Sequence, residues 1–143
     1  MGPWVHLTLT RTWAHESGFS SREAEVIARS DVAFDVRYPA RASVANITRH
    51  FAPWAWMWSR HYFHRAAGTR DLVMLGYALH CAQDAVAHGS FGENHLLADV
   101  GLRRDPDSWE AAPPGIKTRI ERVSRTRLLR YRRCVSRVAR DGV

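Results

Sequence analysis

No stretch of the 143-residue chain approaches the ~20 consecutive apolar residues of a membrane-spanning helix, so no transmembrane segment is expected. The opening residues, Met1-Gly2-Pro3-Trp4-Val5-His6, lack both the basic segment and the long apolar core of a signal peptide. His6 also stands where a myristoylation signal wants Ser or Thr, and a cytoplasmic protein is the expectation. Cysteine is almost missing: Cys81 and Cys134 can close one disulfide at most, which excludes a disulfide scaffold. Their wide separation also excludes a CxxC zinc knuckle. Acidic residues number 14 against 21 basic ones, and the net charge of +7, carried almost wholly by arginine, favours anionic substrates, nucleic acid or an acidic partner. Repeats and low-complexity linkers are absent, and the length suits a single domain over residues 1–143 with a real core.

Histidine is the residue present in excess. Six of the eight fall between His50 and His95. The densest stretch is Leu79-His80-Cys81-Ala82-Gln83-Asp84-Ala85-Val86-Ala87-His88, within a run from Asp71 that is rich in helix formers and broken only by Gly76. As a helix it stacks His80, Asp84 and His88 at i, i+4 and i+8 on one face. Leu72, Leu75, Leu79 and Val86 supply an apolar face, and alanines fill the rest, which predicts a helix buried nearly all round. Asp84 would then be a buried charge in need of a cation. Two imidazoles flanking a carboxylate form a facet of a transition-metal site.

The remaining chain reads as all-α, with four or five helices in a compact bundle and no sheet. Leu7 and Leu9 alternate with Thr8 and Thr10, a period-two pattern that argues against helix there, while Thr12 to Ser17 can be helical. Ser20-Ser21-Arg22-Glu23 is a capping box, opening a helix from Ser21 to about Phe34 with Ala24, Ile27 and Ala28 inward. Asp31 and Asp35 continue that inner face, and Tyr38-Pro39 ends it. Trp54, Trp56 and Trp58 alternate like a strand, but a loop entering a helix is preferred because no partner strand is visible. Gly68 then reads as a helix end and Thr69 as the next N-cap. The last segment, Ile116 to Ala139, is one long basic helix with Ile120, Val123, Leu128, Tyr131, Val135 and Val138 on one stripe. Its arginine-rich remainder is a solvated face or a surface for nucleic acid or anionic lipid. His15 reads as solvated, and His61 and His64 as pocket-lining or surface residues.

The candidate ligands are His6, Asp35 (with Asp31 as the alternative), His50, His80, Asp84, His88 and His95. All are nitrogen or oxygen donors, a set suited to catalytic zinc, with iron and manganese also compatible. The donors outnumber the needs of one tetrahedral ion, so two or three ions are envisaged, with Asp84 as the bridge.

Three pieces of the chain carry a family resemblance: His6-Leu7-Thr8-Leu9-Thr10-Arg11 followed by Gly18-Phe19-Ser20 and Ile27-Ala28-Arg29-Ser30-Asp31 to Asp35; Arg49-His50-Phe51; and Gly76-Tyr77-Ala78-Leu79-His80-Cys81-Ala82-Gln83-Asp84 through His88 to His95. Over roughly residues 6–110 they resemble the superfamily of zinc-dependent phospholipase C and single-strand-specific nucleases, although Asp84 and His88 lie closer together here than in those phospholipases. The resemblance implies a helical enzyme with a multinuclear zinc centre, in which the matching histidines and aspartates bind metal and the residue matching Asp84 bridges two ions. The activity expected is hydrolysis of a phosphoric ester by a zinc-activated water, with Asp35 or Glu93 as general base, His95 as ligand or acid, and Arg49 and Arg103 drawing a small or lipid-like anionic substrate. Two other readings stand beside it: a metal enzyme of specialised metabolism acting on a non-phosphate substrate, and a non-enzymatic zinc module binding nucleic acid through the last helix.

Overall fold

Ser20 starts the first long helix as its side chain implies: its hydroxyl accepts from the Glu23 backbone N–H while the Glu23 carboxylate accepts from the Ser20 backbone N–H. The structure, a computed structural model, describes residues 2, 4–94, 99–101, 105 and 107–141, with side chains to residue 137. Six helices are described in full: α1 (Thr10–Glu16), α2 (Ser21–Arg37), α3 (Val44–His50), α4 (Trp54–Thr69), α5 (Leu72–His88) and α6 (Pro114–Asp141). A π-helical turn, Trp4–Leu9, leads into α1, and a short 3-10 turn, Ala40–Ala42, precedes α3. Among the described residues there is no strand, only an isolated bridge between Ala52 and Ser90. No helix among them is long and apolar enough to cross a membrane.

α5 is the central element. Every residue from Leu75 to His88 is buried, as an apolar all-round helix requires. It packs against α2, α4 and α6. α6 contributes Ile120, Leu128 and Tyr131 to the core, each worth about 1.5–3 kcal/mol of burial. Val123 and Val135 pack at the edge of this stripe, and Val138 lies outside the described side chains.

Three local expectations need correction. The alternating Leu7–Thr10 segment is helical, because the wider π turn buries Val5 and His6 together and so overrides the period-two pattern. α2 runs one turn past Phe34, to Arg37, and that turn carries Asp35. Gly68 does not end α4, and Thr69 does not cap α5. The Thr69 hydroxyl donates back to the Arg65 carbonyl, Arg70 takes the left-handed turn at φ 56°, and Asp71 accepts from the N–H groups of Val73 and Met74. The three tryptophans do lie on a helix, at the start of α4.

Gly76 explains how α2 and α5 come close enough to share a site. A Cβ at this position would sit 2.6 Å from the Ile27 carbonyl oxygen and 2.9 Å from the Asp31 nitrogen. Mid-helix glycine costs ~1 kcal/mol against alanine, so its presence here trades helix propensity for backbone contact. Gly76→Ala is therefore expected to destabilise the fold by about 1–3 kcal/mol, despite its better propensity, because rigid backbone faces the new methyl. Urea denaturation checks this, and a more stable variant would contradict the close-packing account.

Candidate metal centre

α2, α3 and α5 each present donors to one point beneath the surface. His80 and Asp84 come from successive turns of α5, His50 from the end of α3, and Asp35 from the last turn of α2. His50 Nδ1 lies 2.8 Å from Asp84 Oδ2, and His80 Nε2 lies 3.1 Å from the same oxygen. Asp35 Oδ1 stands 3.3 Å from His80 Nε2 and 3.7 Å from His50 Nδ1, and the two imidazole nitrogens are 3.4 Å apart. A tetrahedron with bonds of about 2.0 Å has edges of about 3.3 Å, the value about which these separations scatter. The four residues could hold a metal ion.

The tautomers suit that role. His80 Nδ1–H donates to the Asp31 carbonyl at 2.9 Å, and His50 Nε2–H donates to the Tyr38 carbonyl at 2.8 Å. A carbonyl can only accept, so each ring directs its other nitrogen at the donor cluster, either as a lone pair or as a second N–H. Phe34 packs against both rings, 4.7 Å from the His80 centroid and 5.8 Å from that of His50, which holds their orientation.

A second group forms behind the first. His6, delivered by the π turn, stacks on His80 with centroids 4.2 Å apart, and with Asp31 these residues could also hold an ion. His6 Nδ1 lies 2.8 Å from both Gln83 Oε1 and Asp31 Oδ1. Gln83 Nε2–H donates to Thr10 and to Ser124 of α6, which fixes its oxygen as the acceptor for His6. Thr10 in turn donates to Asp31 Oδ2 at 2.8 Å. His6 Nε2 then faces Asp84 Oδ1 at 3.4 Å and, though wholly buried, has no well-formed hydrogen bond among the described residues. Such an orphaned nitrogen is costly unless something binds it. His88 Nε2 approaches the same Asp84 oxygen at 3.9 Å and Asp107 at 3.1 Å. The two oxygens of Asp84 thus serve two sets of imidazoles.

Electrostatics in the metal-free cluster follow from this crowding. Burial opposes charge on His80, but Asp84, Asp31 and Asp35 outweigh it and raise its pKa well above 6.5. Burial and the neighbouring His80 also oppose charge on His6, and Asp31 and Asp84 lift it nonetheless. Asp84 is drawn well below the usual carboxylate range by His88, His80 and the His50 hydrogen bond, against burial. His88 goes the other way, lowered by burial. Burial pushes the Cys81 thiol up, so no thiolate competes as a ligand at neutral pH.

Above the cluster opens a cleft of about 610 Å³, lined by Asp35, His50, Asp84 and His88 and walled by Arg41, Ile47 and Phe51. Of the four donors in the first group only Asp35 is appreciably exposed, at 49% against 3% or less for the others. A larger cleft of about 850 Å³, between the end of α5 and the start of α6, includes none of the clustered donors.

The structure brings together His6, Asp35, His50, His80, Asp84 and His88, and it adds Asp31. That residue, an alternative with the surface as its other reading, is completely buried. His95 and Arg103 lie outside the described residues. Glu93 is exposed, packs over Gly89 and does not line the cleft. Arg49 is wedged between the rings of Tyr38 and Trp58, and Arg41 lines the mouth. His15, His61 and His64 are exposed. Gln83, Thr10, Ser124 and Asp107 were not singled out by sequence reasoning, although a glutamine on an otherwise apolar buried helix was a usable signal for the first. Gln83→Leu is expected to weaken metal binding about 10–100-fold, as loss of an outer-shell partner does, without removing a ligand. Calorimetric zinc titration checks this, and unchanged affinity would separate Gln83 from the site.

No protein-family model, curated protein or solved structure matches the chain.

Proposed function

We propose that this cleft is the active site of a metal-dependent hydrolase acting on phosphoric esters. One observation carries the reading: His50, His80 and Asp84 stand at tetrahedral spacing, each imidazole aimed by a backbone carbonyl, and the fourth corner faces the cleft, where the half-exposed Asp35 can yield it to water and act as base. The nitrogen and oxygen donors suit zinc, with iron or manganese compatible, and the adjoining His6, Asp31 and His80 group suits a further ion. Among the described residues, Asp35, Asp84, Asp99 and Asp107 line the cleft against one arginine, Arg41, so these side chains repel an anion. A divalent ion held there would supply the positive charge an anionic ester needs and would bring the pKa of a water toward ~7.

The chain's own residues do the rest. Asp35, ionised and half-exposed, is the carboxylate placed to take a proton from an incoming water. Arg41 orients the ester at the rim, and Ile47 and Phe51 receive its apolar part. The buried imidazoles and Phe34 keep bulk water from the far side of the donors.

The test is a panel of phosphate mono- and diesters, read with metal content. Chelation is expected to abolish turnover and zinc to restore it, with Asp35→Asn lowering kcat about 100-fold or more. Stoichiometric metal with no turnover of any phosphate ester would overturn the reading.

A further inference from the structure

Charge is segregated along this chain. α6 carries ten of the 21 basic residues and only two of the 14 acidic ones, so the remaining residues have a formal charge of −1. The whole positive excess therefore sits on one helix. Its outer face repeats the pattern: Arg119, Arg122, Thr126, Arg130, Arg133 and Arg137 are all exposed and spaced three or four apart, which makes one continuous stripe. At 1.5 Å per residue the stripe is about 27 Å long, longer than two Debye lengths at physiological salt. None of these arginines forms an ion pair with a described carboxylate, whereas Arg125, off the stripe, is paired with Glu16 and Glu121.

The stripe borders a groove of about 380 Å³ between α4 and α6, lined by Arg60, His64, Arg127 and Arg130 over Trp56 and Phe63. No acidic residue among the described ones lines it. Arg127 lies over the Trp56 ring and donates to Ser59, and Arg130 lies over the Phe63 ring. The ring faces are thus covered by guanidinium groups, which leaves the groove suited to phosphate contact more than to base stacking. Burial draws the Arg127 pKa down to about 10, a cost that an anion in the groove would offset.

We propose that the outer face of α6, with the adjoining α4 groove, docks a nucleic acid through its phosphate backbone, separately from the metal cleft. Linear spacing, near-exclusive use of arginine and the absence of carboxylates fit a chain of phosphates. A membrane surface fits less well. Leu129 is the single large apolar side chain of α6 exposed beside the stripe, too little to insert, and Ile120, Leu128 and Tyr131 are spent on the protein core.

The experiment uses the full chain and a fluorescent mixed-sequence oligonucleotide of about 30 nucleotides, single-stranded and duplex, titrated at several salt concentrations. With five arginines seated, log K against log salt should fall with a slope near −3.5 for the single strand. Arg122→Glu with Arg133→Glu should cut affinity at least tenfold and flatten the slope, while Arg22→Glu with Arg29→Glu on α2, an equal charge change, should alter affinity less than threefold. Circular dichroism verifies that both double variants fold, as expected for exposed positions. Equal losses in the two variants, a slope shallower than about −1, or tighter binding to phosphatidylserine vesicles than to either oligonucleotide would each overturn the proposal. Chelated protein should bind as well as metal-loaded protein, which separates this result from any failure of the hydrolase reading.

Discussion

Asp84→Asn is expected to lower zinc affinity at least ~100-fold and to eliminate metal-dependent turnover, the largest single-residue effect in the molecule. The side chain is isosteric, so no cavity or overpacking enters. What changes is the charge and one oxygen, at a position where both oxygens are used. Oδ2 lies within 3.1 Å of His50 and His80, and Oδ1 faces His6 at 3.4 Å and His88 at 3.9 Å. An amide puts an NH₂ in one of those directions, presenting hydrogens to imidazole nitrogens that are aimed at a cation. Metal content by plasma mass spectrometry and a calorimetric titration read the loss directly. The metal-free variant should also differ from the metal-free parent: removing the buried anion lets burial dominate at His80, so its imidazole stays neutral at lower pH, visible in its NMR titration. Retention of parental zinc affinity would show that Asp84 is not a ligand.

The part of this site that could be read from the sequence is the part written within single helices. His80, Asp84 and His88 are spaced by one turn, and the helix period alone puts them on one face. The capping box and the long amphipathic α6 are local patterns of the same kind. Asp31 and Asp35 could not be separated because both lie on the inner face of α2, one turn apart. The structure uses both, Asp35 with His50 and Asp31 with His6, because His80 stands between the two groups. The Gln83 relay was less accessible, since it joins residues 73 and 41 positions away in the chain through side chains that meet only when the π turn and α6 pack on α5. The break after α4 was misplaced for a similar reason. Gly68 has the composition of a helix end, but the residue that satisfies the free N–H groups of α5 is Asp71, two positions beyond Thr69. Local composition identified the elements, and the exchange of polar partners between elements decided the details.

Metal and proton compete for the same nitrogens, so stability with and without metal should respond to pH in opposite senses. In the metal-free protein the raised pKa of His80, and that of His6 with it, contributes stability that is complete below the ordinary 6.5 and is lost as pH rises through the folded values. Asp84 and Asp35, held low, contribute stability present above the ordinary 3.8 and lost only as pH falls through their depressed values. His88, lowered by burial, adds a cost below 6.5 and none above it. The Tm of chelated protein should therefore fall as pH rises above about 6.5. Zinc-loaded protein behaves differently, because binding requires neutral imidazoles and releases their protons, so affinity climbs over the same interval. At zinc a thousandfold above Kd the stabilisation reaches about 4 kcal/mol, or some 8–16 °C in Tm for a chain of this size. The interval between the two melting curves should thus widen from acid to mild alkali, measured by differential scanning fluorimetry with chelator and with zinc. A chelated protein that gains stability across that interval would show that His80 is not held as an imidazolium by the three carboxylates. A zinc-induced shift that ignores pH would show that the ion binds elsewhere than at these imidazoles.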